Sequence, residues 1–427
     1  MIYTALRLLN TALGVVWGFG LTWVLVRTYG VDLYAHFAFV AAIGLFFSAS
    51  DFGISRLLYA LLREYRLTRG AGSEDPRAGE AERIGRIIVN TLWAFFGAWA
   101  LATVLFGVVG AMTTQPSHGL ALTLILFFAG ATLNLPWMNL RALQEALGAH
   151  VHFEFVDAVR RLAQLILLAG LLGEVNADLV FGGQLVIWAA AFTVVLPRLR
   201  REAGLNAMHP SWHGLRELGN FTRGKFRATV AFSLAELLIY NGAYFALPLI
   251  YASPLALVFY DVFNKLFRAA IMANSVVSTA LRPALTALWH GAEMTRFRAR
   301  FWLMTGVSVA GMLALAVILL LVGRPLIDKL LDHQASPPAF FVMALILAAL
   351  GNAIQNSAGT MIVSLGLLHE AYKLAGFMLV LMTLLCVAAK LFALDFSEWL
   401  MAYAAIYAMG SLLWFVTWAR IWKRRTA

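Results

Sequence analysis

This chain is short of charge. Only 13% of its 427 residues are Asp, Glu, Lys or Arg, about half the share found in a soluble domain. Apolar residues make up 61% and the mean hydropathy is +0.78. That leaves too little polar surface to face water, so a soluble globule and a disordered chain are both excluded. Cysteine is nearly missing too. Cys386 stands alone in an apolar run, so no intrachain disulfide is possible and the redox compartment leaves no mark. Catalytic signatures are absent: there is no nucleophile elbow, phosphate-binding loop, dinucleotide-binding glycine pattern or zinc-protease pair in a credible setting. His150, His152 and Glu154 invite a metal reading. They lie at a helix–loop junction beside Asp157 with no further His or Cys to complete a shell, so no metal site is assigned. No cofactor is expected, and no enzymatic activity.

What the chain has in abundance is long apolar runs, which only a polytopic membrane protein accommodates. Clear runs are Leu8–Val26, Leu33–Ser50, Ile87–Met112, Leu120–Leu140, Leu179–Pro197, Phe301–Gly323, Pro338–Leu368 and Trp399–Ala419. Leu374–Ala389 is shorter, but Lys390 can snorkel to an interface. Leu162–Gly173 is read as span 5, with its charged start, Asp157 to Arg161, at the headgroup level. Ala228–Ile250 and Leu255–Leu281 are read as spans 7 and 8, although they hold Glu236 and the trio Asp261, Lys265 and Arg268. The total is twelve transmembrane helices. No ten-residue alternation of a membrane barrel strand appears, so the fold class is all-α. Arg7 is followed by an uncharged run with no small-residue cleavage site before Arg27, which predicts a retained first span.

Loop charge gives the orientation. In a soluble chain the excess of 33 basic over 22 acidic residues would suggest a nucleic-acid partner. Here, with both termini cytoplasmic, the loops on that side hold 27 basic residues and the opposite side holds 4, a strong positive-inside signal. The expected location is the cytoplasmic membrane, with the bilayer rather than nucleic acid as surroundings. The outer loops, roughly 28–32, 113–118, 174–178, 251–254, 324–337 and 395–398, are short. They leave no room for the acidic outer domain of a membrane glycosyltransferase. The basic linker, about 198–227, divides the chain into six-helix lobes at 1–205 and 206–427. Within it Trp212, Leu215, Leu218 and Phe221 recur at helical spacing, as an interfacial amphipathic helix requires; a plain solvated linker is the alternative.

A six-plus-six repeat leaves a faint trace. Tyr34-Ala-His-Phe37 precedes Arg56 by the same 22 residues that separate Tyr260-Asp-Val-Phe263 from Arg282. The segment Arg27-Thr-Tyr-Gly-Val-Asp-Leu-Tyr34 resembles the R-x-L-G-x-x-x-Y-G stretch that opens span 2 of polysaccharide export proteins, and Asp51-Phe-Gly-Ile-Ser-Arg56 resembles their D-x-G-h end of that span. Arg141-Ala-Leu-Gln-Glu-Ala-Leu-Gly148, Leu281-Arg-Pro-Ala-Leu285 and Gly323-Arg-Pro-Leu-Ile327 are similar to family features after spans 4, 8 and 9. Together these cover most of the chain in consistent order. The chain thus resembles the multidrug/oligosaccharidyl-lipid/polysaccharide exporter superfamily, in its lipid-linked oligosaccharide (O-antigen) flippase branch. The resemblance implies two pseudo-symmetric six-helix bundles around a central cavity, working by alternating access.

Polar residues inside the spans are then the candidate site. A charge at mid-span costs about 2.5–3.5 kcal/mol on insertion scales, so it is paired or borders water. Asp261, Asn264, Lys265 and Arg268 share one face of span 8, and Asp261 can pair with Lys265. Glu236, Tyr240 and Tyr244, with Asn241 beside them, recur at four-residue spacing on span 7. Tyrosine offers a flat apolar face to a sugar and a hydroxyl to bond it. Glu236 is a proton or cation site, or a partner of Lys265 or Arg268. Asp51, Arg56, Asn134 and Arg141 lie toward the cytoplasmic ends of spans 2 and 4, where a cation can attract a lipid diphosphate or merely anchor the span. The expected function is a flippase for a polyprenyl-diphosphate-linked oligosaccharide in polysaccharide biosynthesis, with polymerase or glycosyltransferase partners. The alternative is a cation-coupled multidrug or small-solute exporter of the same superfamily; a multispan glycosyltransferase or an assembly subunit comes third.

Overall fold

The computed structural model describes residues 2–49, 78–113, 119–205, 227–365 and 367–426, with scattered positions at 51–62 and 209–217. Twelve α-helices account for nearly all of them, and no strand occurs among the described residues. In chain order they are α1 (Ile2–Ala49), α2 (Ala78–Thr113), α3 (Ala121–Thr132), α4 (Asn134–Leu147), α5 (His150–Ala169), α6 (Ala177–Ala203), α7 (Arg227–Ile250), α8 (Leu255–His290), α9 (Met294–Leu330), α10 (Phe341–Ser364), α11 (Leu368–Phe392) and α12 (Phe396–Thr426). A helix closes its backbone hydrogen bonds on itself, which is why apolar runs of this length take no other form in lipid.

Among the described residues, nine stretches are long and apolar enough to cross a membrane, α3 and α4 counting as one. The helices left out are α5 and α8, whose charged residues lower their hydropathy. α1 is 48 residues long and supplies spans 1 and 2. Counted this way the chain is a multi-pass, twelve-span, all-α membrane protein.

The joint expected at 28–32 between spans 1 and 2 is tight: two helices meet at a kink at Gly30 (φ 77, ψ 167), a conformation that a side chain resists. Gln334 bridges the break. Its Oε1 accepts from the Val31 N–H at 3.1 Å and its Nε2 donates to the Val26 carbonyl at 3.2 Å. Span 5 begins earlier than Leu162. α5 starts at His150 and continues into a short 3-10 turn at Gly170–Gly173, so Asp157 and Arg160 sit within it and are buried.

The chain divides into two compact units: residues 1–24 with 39–233, and residues 25–38 with 234–427. The division differs from the expected one at 205/206, because the middle of α1 goes with the second unit. In the first unit Trp137 packs edge to face on Trp188 and on Phe192, with Phe153 tilted against it. The described part of the linker is tied to α2, with the Ser211 N–H donating to Asn90 Oδ1 at 2.8 Å and Glu217 beside Arg86 at 3.7 Å. Trp212 is exposed; Leu215, Leu218 and Phe221 lie outside the described residues. In the second unit α10 and α12 pack backbone to backbone. A Cβ on Gly351 would stand 2.9 Å from the Ala408 Cα, so only glycine permits that approach.

Candidate functional site

The second unit holds a polar network on α8 and its neighbours. Its centre is Asp261, buried although its helix is apolar. Tyr34, from the middle of α1, donates its hydroxyl proton to Asp261 Oδ2. Tyr244 of α7 donates to Oδ1 at 2.9 Å. Lys265, one turn along α8, donates to Oδ2 at 2.7 Å and to the Tyr34 hydroxyl at 2.8 Å. Three donors on one carboxyl group fit the ionised form, which only accepts. Four-residue spacing on α8 aligns Asp261 with Lys265, as expected.

Farther along α8 the partners are amides and hydroxyls rather than a carboxylate. Asn264 Nδ2 donates to the Tyr244 hydroxyl at 3.1 Å. Arg268 Nη2 donates to Asn241 Oδ1 at 2.7 Å, and its Nε makes a longer bond of 3.4 Å to Asn264 Oδ1. Among the described residues Arg268 has hydrogen bonds to amide oxygens only. Tyr240 and Tyr407 share a hydroxyl–hydroxyl bond of 2.9 Å. From Tyr407 the contacts continue through Asn352 (3.1 Å) to Asn274 (3.2 Å), and from Asn274 to Asn356 (3.2 Å).

Six of the twelve candidates therefore meet: Asn241, Tyr244, Asp261, Asn264, Lys265 and Arg268; Tyr240 bonds Tyr407 instead. Glu236 is exposed on α7, while Tyr240 and Tyr244 turn progressively inward. The remaining four belong to the first unit. Asp51 accepts from the Ser55 N–H at 3.0 Å, capping the turn after α1. Asn134 Nδ2 donates to the Ala131 carbonyl at 2.9 Å, where α3 gives way to α4. Arg141 pairs with Glu154 and, at 3.5 Å, with Glu145. Arg56 lies outside the described residues.

Sequence reasoning misses two things. It presents Tyr34 only as part of a family segment, yet Tyr34 closes the Asp261 ring of contacts. The Asn352/Asn356 and Tyr403/Tyr407 pairs at four-residue spacing are visible signals of polar helix faces. The first unit also hides a charged cluster. Glu154 accepts from Asn10 Nδ2 at 2.5 Å. Asp157 takes Arg160 at 2.5 Å, Arg161 at 3.0 Å and the Trp137 Nε1–H at 2.8 Å. The Arg160 guanidinium lies 3.8 Å from the centre of the Trp188 ring. Among the described residues no group of three or more His, Cys, Asp or Glu is placed to hold a metal ion; Glu154 turns to Asn10 and Arg141.

No family model matches the sequence, and no curated protein matches it. Solved structures do. An inward-facing multidrug resistance MATE family transporter of the MOP superfamily superposes with a TM-score of 0.69 at 11% identity, over 98% of this chain and 95% of that one. The eukaryotic MATE transporter AtDTX14 gives 0.63 at 11% identity, over 99% and 97%. The Vibrio cholerae MATE transporter VcmN in its bent form gives 0.58 at 12% identity, over 99% of each chain. The fold is that of the MATE transporters. At these identities the MATE likeness is one of architecture, and the flippase branch is not distinguished by it.

Proposed function

We propose that this chain is a MATE-type exporter, a membrane transporter that works by alternating access and couples export of a small solute to cation entry at Asp261. The observation that carries the reading is the Asp261 centre, set in a chain whose whole length superposes on MATE transporters. Asp261 accepts from three donors as a carboxylate. A proton arriving there turns an acceptor into a donor and removes the charge facing Lys265. The new O–H needs an acceptor of its own, and the bonds from Tyr34, Tyr244 and Lys265 lose the negative charge that strengthens them. The unit thereby acquires two bonding states selected by one proton, as a coupled carrier needs. Among the described residues Arg268 also faces the centre, across Asn264 and Tyr244.

A second reading rests on Arg268. Asp261 and Lys265 neutralise one another, and among the described residues the Arg268 charge is answered by hydrogen bonds to amide oxygens only. A guanidinium so held favours a phosphate or carboxylate. This supports an anionic amphiphile as substrate, including a polyprenyl-diphosphate-linked oligosaccharide, with glycan-assembly enzymes as partners. Negative-inside polarity would add about 2.3 kcal/mol per charge per 100 mV to its outward movement. Under either reading the loop charge favours the cytoplasmic membrane, with both termini cytoplasmic.

Reconstituted vesicles test the two readings. Proton-gradient-driven accumulation of a cationic dye, lost in Asp261→Asn, supports the exporter. No gradient-driven movement of the dye, together with leaflet-resolved transfer of a lipid-linked sugar, gives the second reading instead.

A further inference from the structure

The first unit carries an open groove of about 560 Å3 that transport at Asp261 does not use. Its walls are Leu6 at the start of α1, the turn joining α4 to α5, Val151, His152 and Phe155 in the first turns of α5, and Arg198 near the end of α6. Arg198 gives its Nε to Glu202 at 2.6 Å, and this is its one hydrogen bond among the described residues. His152 Nε2 is buried and has no hydrogen-bond partner there. Arg198 and His152 are thus the polar side chains lining a cleft whose other side chains are apolar.

An apolar track leaves this groove along α5. Val151, Phe155, Val159, Leu162 and Ile166 are all exposed, from 39% to 67%. Their spacing of three and four residues places them on one helix face. A notch that holds the Arg198 guanidinium, ion-paired on one side with Glu202, and opens onto an apolar stripe has the polarity of a phospholipid: phosphate at one end, acyl chain at the other. Basic pockets between helices on the cytoplasmic side are suited to anionic lipid headgroups.

We propose that the groove seats the phosphate of an anionic membrane lipid between Arg198 and His152, with an acyl chain lying along the Val151–Ile166 face. The occupant is a lipid of the leaflet that meets the basic loops. The proposal concerns a site apart from the Asp261 network and holds whichever substrate the protein carries.

Native mass spectrometry of the full chain, from nanodiscs of phosphatidylcholine with a minor share of phosphatidylglycerol, tests it. Wild type should retain phosphatidylglycerol over phosphatidylcholine by at least about fivefold. Arg198→Glu should abolish that preference, while Arg201→Glu, at the same helix end but outside the groove, keeps it. Equal melting of the variants in phosphatidylcholine alone certifies the fold. A lipid with a photoreactive acyl chain should crosslink to residues 155–166, and this measurement stands on wild type if Arg198→Glu does not fold. Retention unchanged in Arg198→Glu, equal loss in both variants, crosslinks only elsewhere, or displacement of the lipid by millimolar inorganic phosphate would each overturn the assignment.

Discussion

The two units bury polar groups in opposite ways. In the first, each charge of the cluster meets an opposite charge: Glu154 faces Arg141, and Asp157 faces both Arg160 and Arg161. Arg160 is also pressed onto the Trp188 ring, an interaction worth about 2 kcal/mol when desolvated. In the second unit the ion pair of Asp261 with Lys265 is embedded among hydroxyls and amides, and among the described residues Arg268 is hydrogen-bonded only to amides. The difference teaches what each can do. A cluster whose charges hold one another firmly loses much if any member changes, so it suits a fixed joint. A network of tyrosine and asparagine side chains can exchange donors for acceptors with little change in energy, so it suits a centre that switches.

The comparison breaks first at the charged cluster. Asp157→Ala strands the guanidinium of Arg160, which is only 4% exposed. Removing one partner of a buried pair costs about 3–5 kcal/mol. Little folded protein should survive extraction, or its melting temperature in detergent should fall by more than any single substitution in the second unit produces. Asp157→Leu combined with Arg160→Met should recover much of that loss, because the pair is replaced rather than halved. A single substitution that melts like wild type would remove the cluster from the role of fixed joint.

The switching centre predicts a different signature. Tyr34→Phe deletes a hydroxyl that donates to Asp261 and accepts from Lys265. Hydrogen bonds to charged groups contribute about 1.5–3 kcal/mol. Gradient-driven transport should fall about 5–150-fold, the range of a typical coupling free energy, with less loss of stability than Asp157→Ala. If transport and stability fell together in the same proportion, Tyr34 would be part of a scaffold like the first unit's.

Much of this contrast was legible in the sequence. Asp261, Asn264, Lys265 and Arg268 advertise a shared face through their spacing, and α-helical periodicity carries that information without a structure. Spans 7 and 8 were recoverable despite their charges because loop polarity alternates on either side of them. What stayed hidden depended on contacts far apart in the chain. Nothing near Tyr34 marks its pairing with a residue 227 positions away. The charged stretch Asp157 to Arg161 reads as the start of a span at the headgroup level, because a sequence does not show Trp137 and Trp188 packed against Arg160. The break at Gly30 reads as a loop, since local composition does not show Gln334 bonding across it.

A sign test of substrate charge sharpens the second unit's half of the comparison. Arg268→Gln keeps hydrogen-bonding capacity toward Asn241 and removes the positive charge. Relative to wild type, transport of an anionic amphiphile should drop against that of a cationic dye by about tenfold, equivalent to about 1.4 kcal/mol. An unchanged ratio would take Arg268 out of substrate selection and leave it as a tether between α7 and α8.

The smallest expected effect concerns the interruption at Gly30. Helix breaks in an apolar layer leave backbone groups without partners, and here the Gln334 side chain answers both, one on each side of the glycine. Gln334→Ala removes two neutral hydrogen bonds of about 1 kcal/mol each. The chain should still fold and transport. The Val31 amide, however, should exchange with solvent deuterium roughly 5–30-fold faster, with no change at Tyr34's partners on α8. Should protection at Val31 persist, the break must be sealed by packing rather than by Gln334. Protection lost also around Asp261 would mean that this joint and the switching centre form one cooperative element, and the division between fixed and switching parts would then have to be drawn inside the second unit.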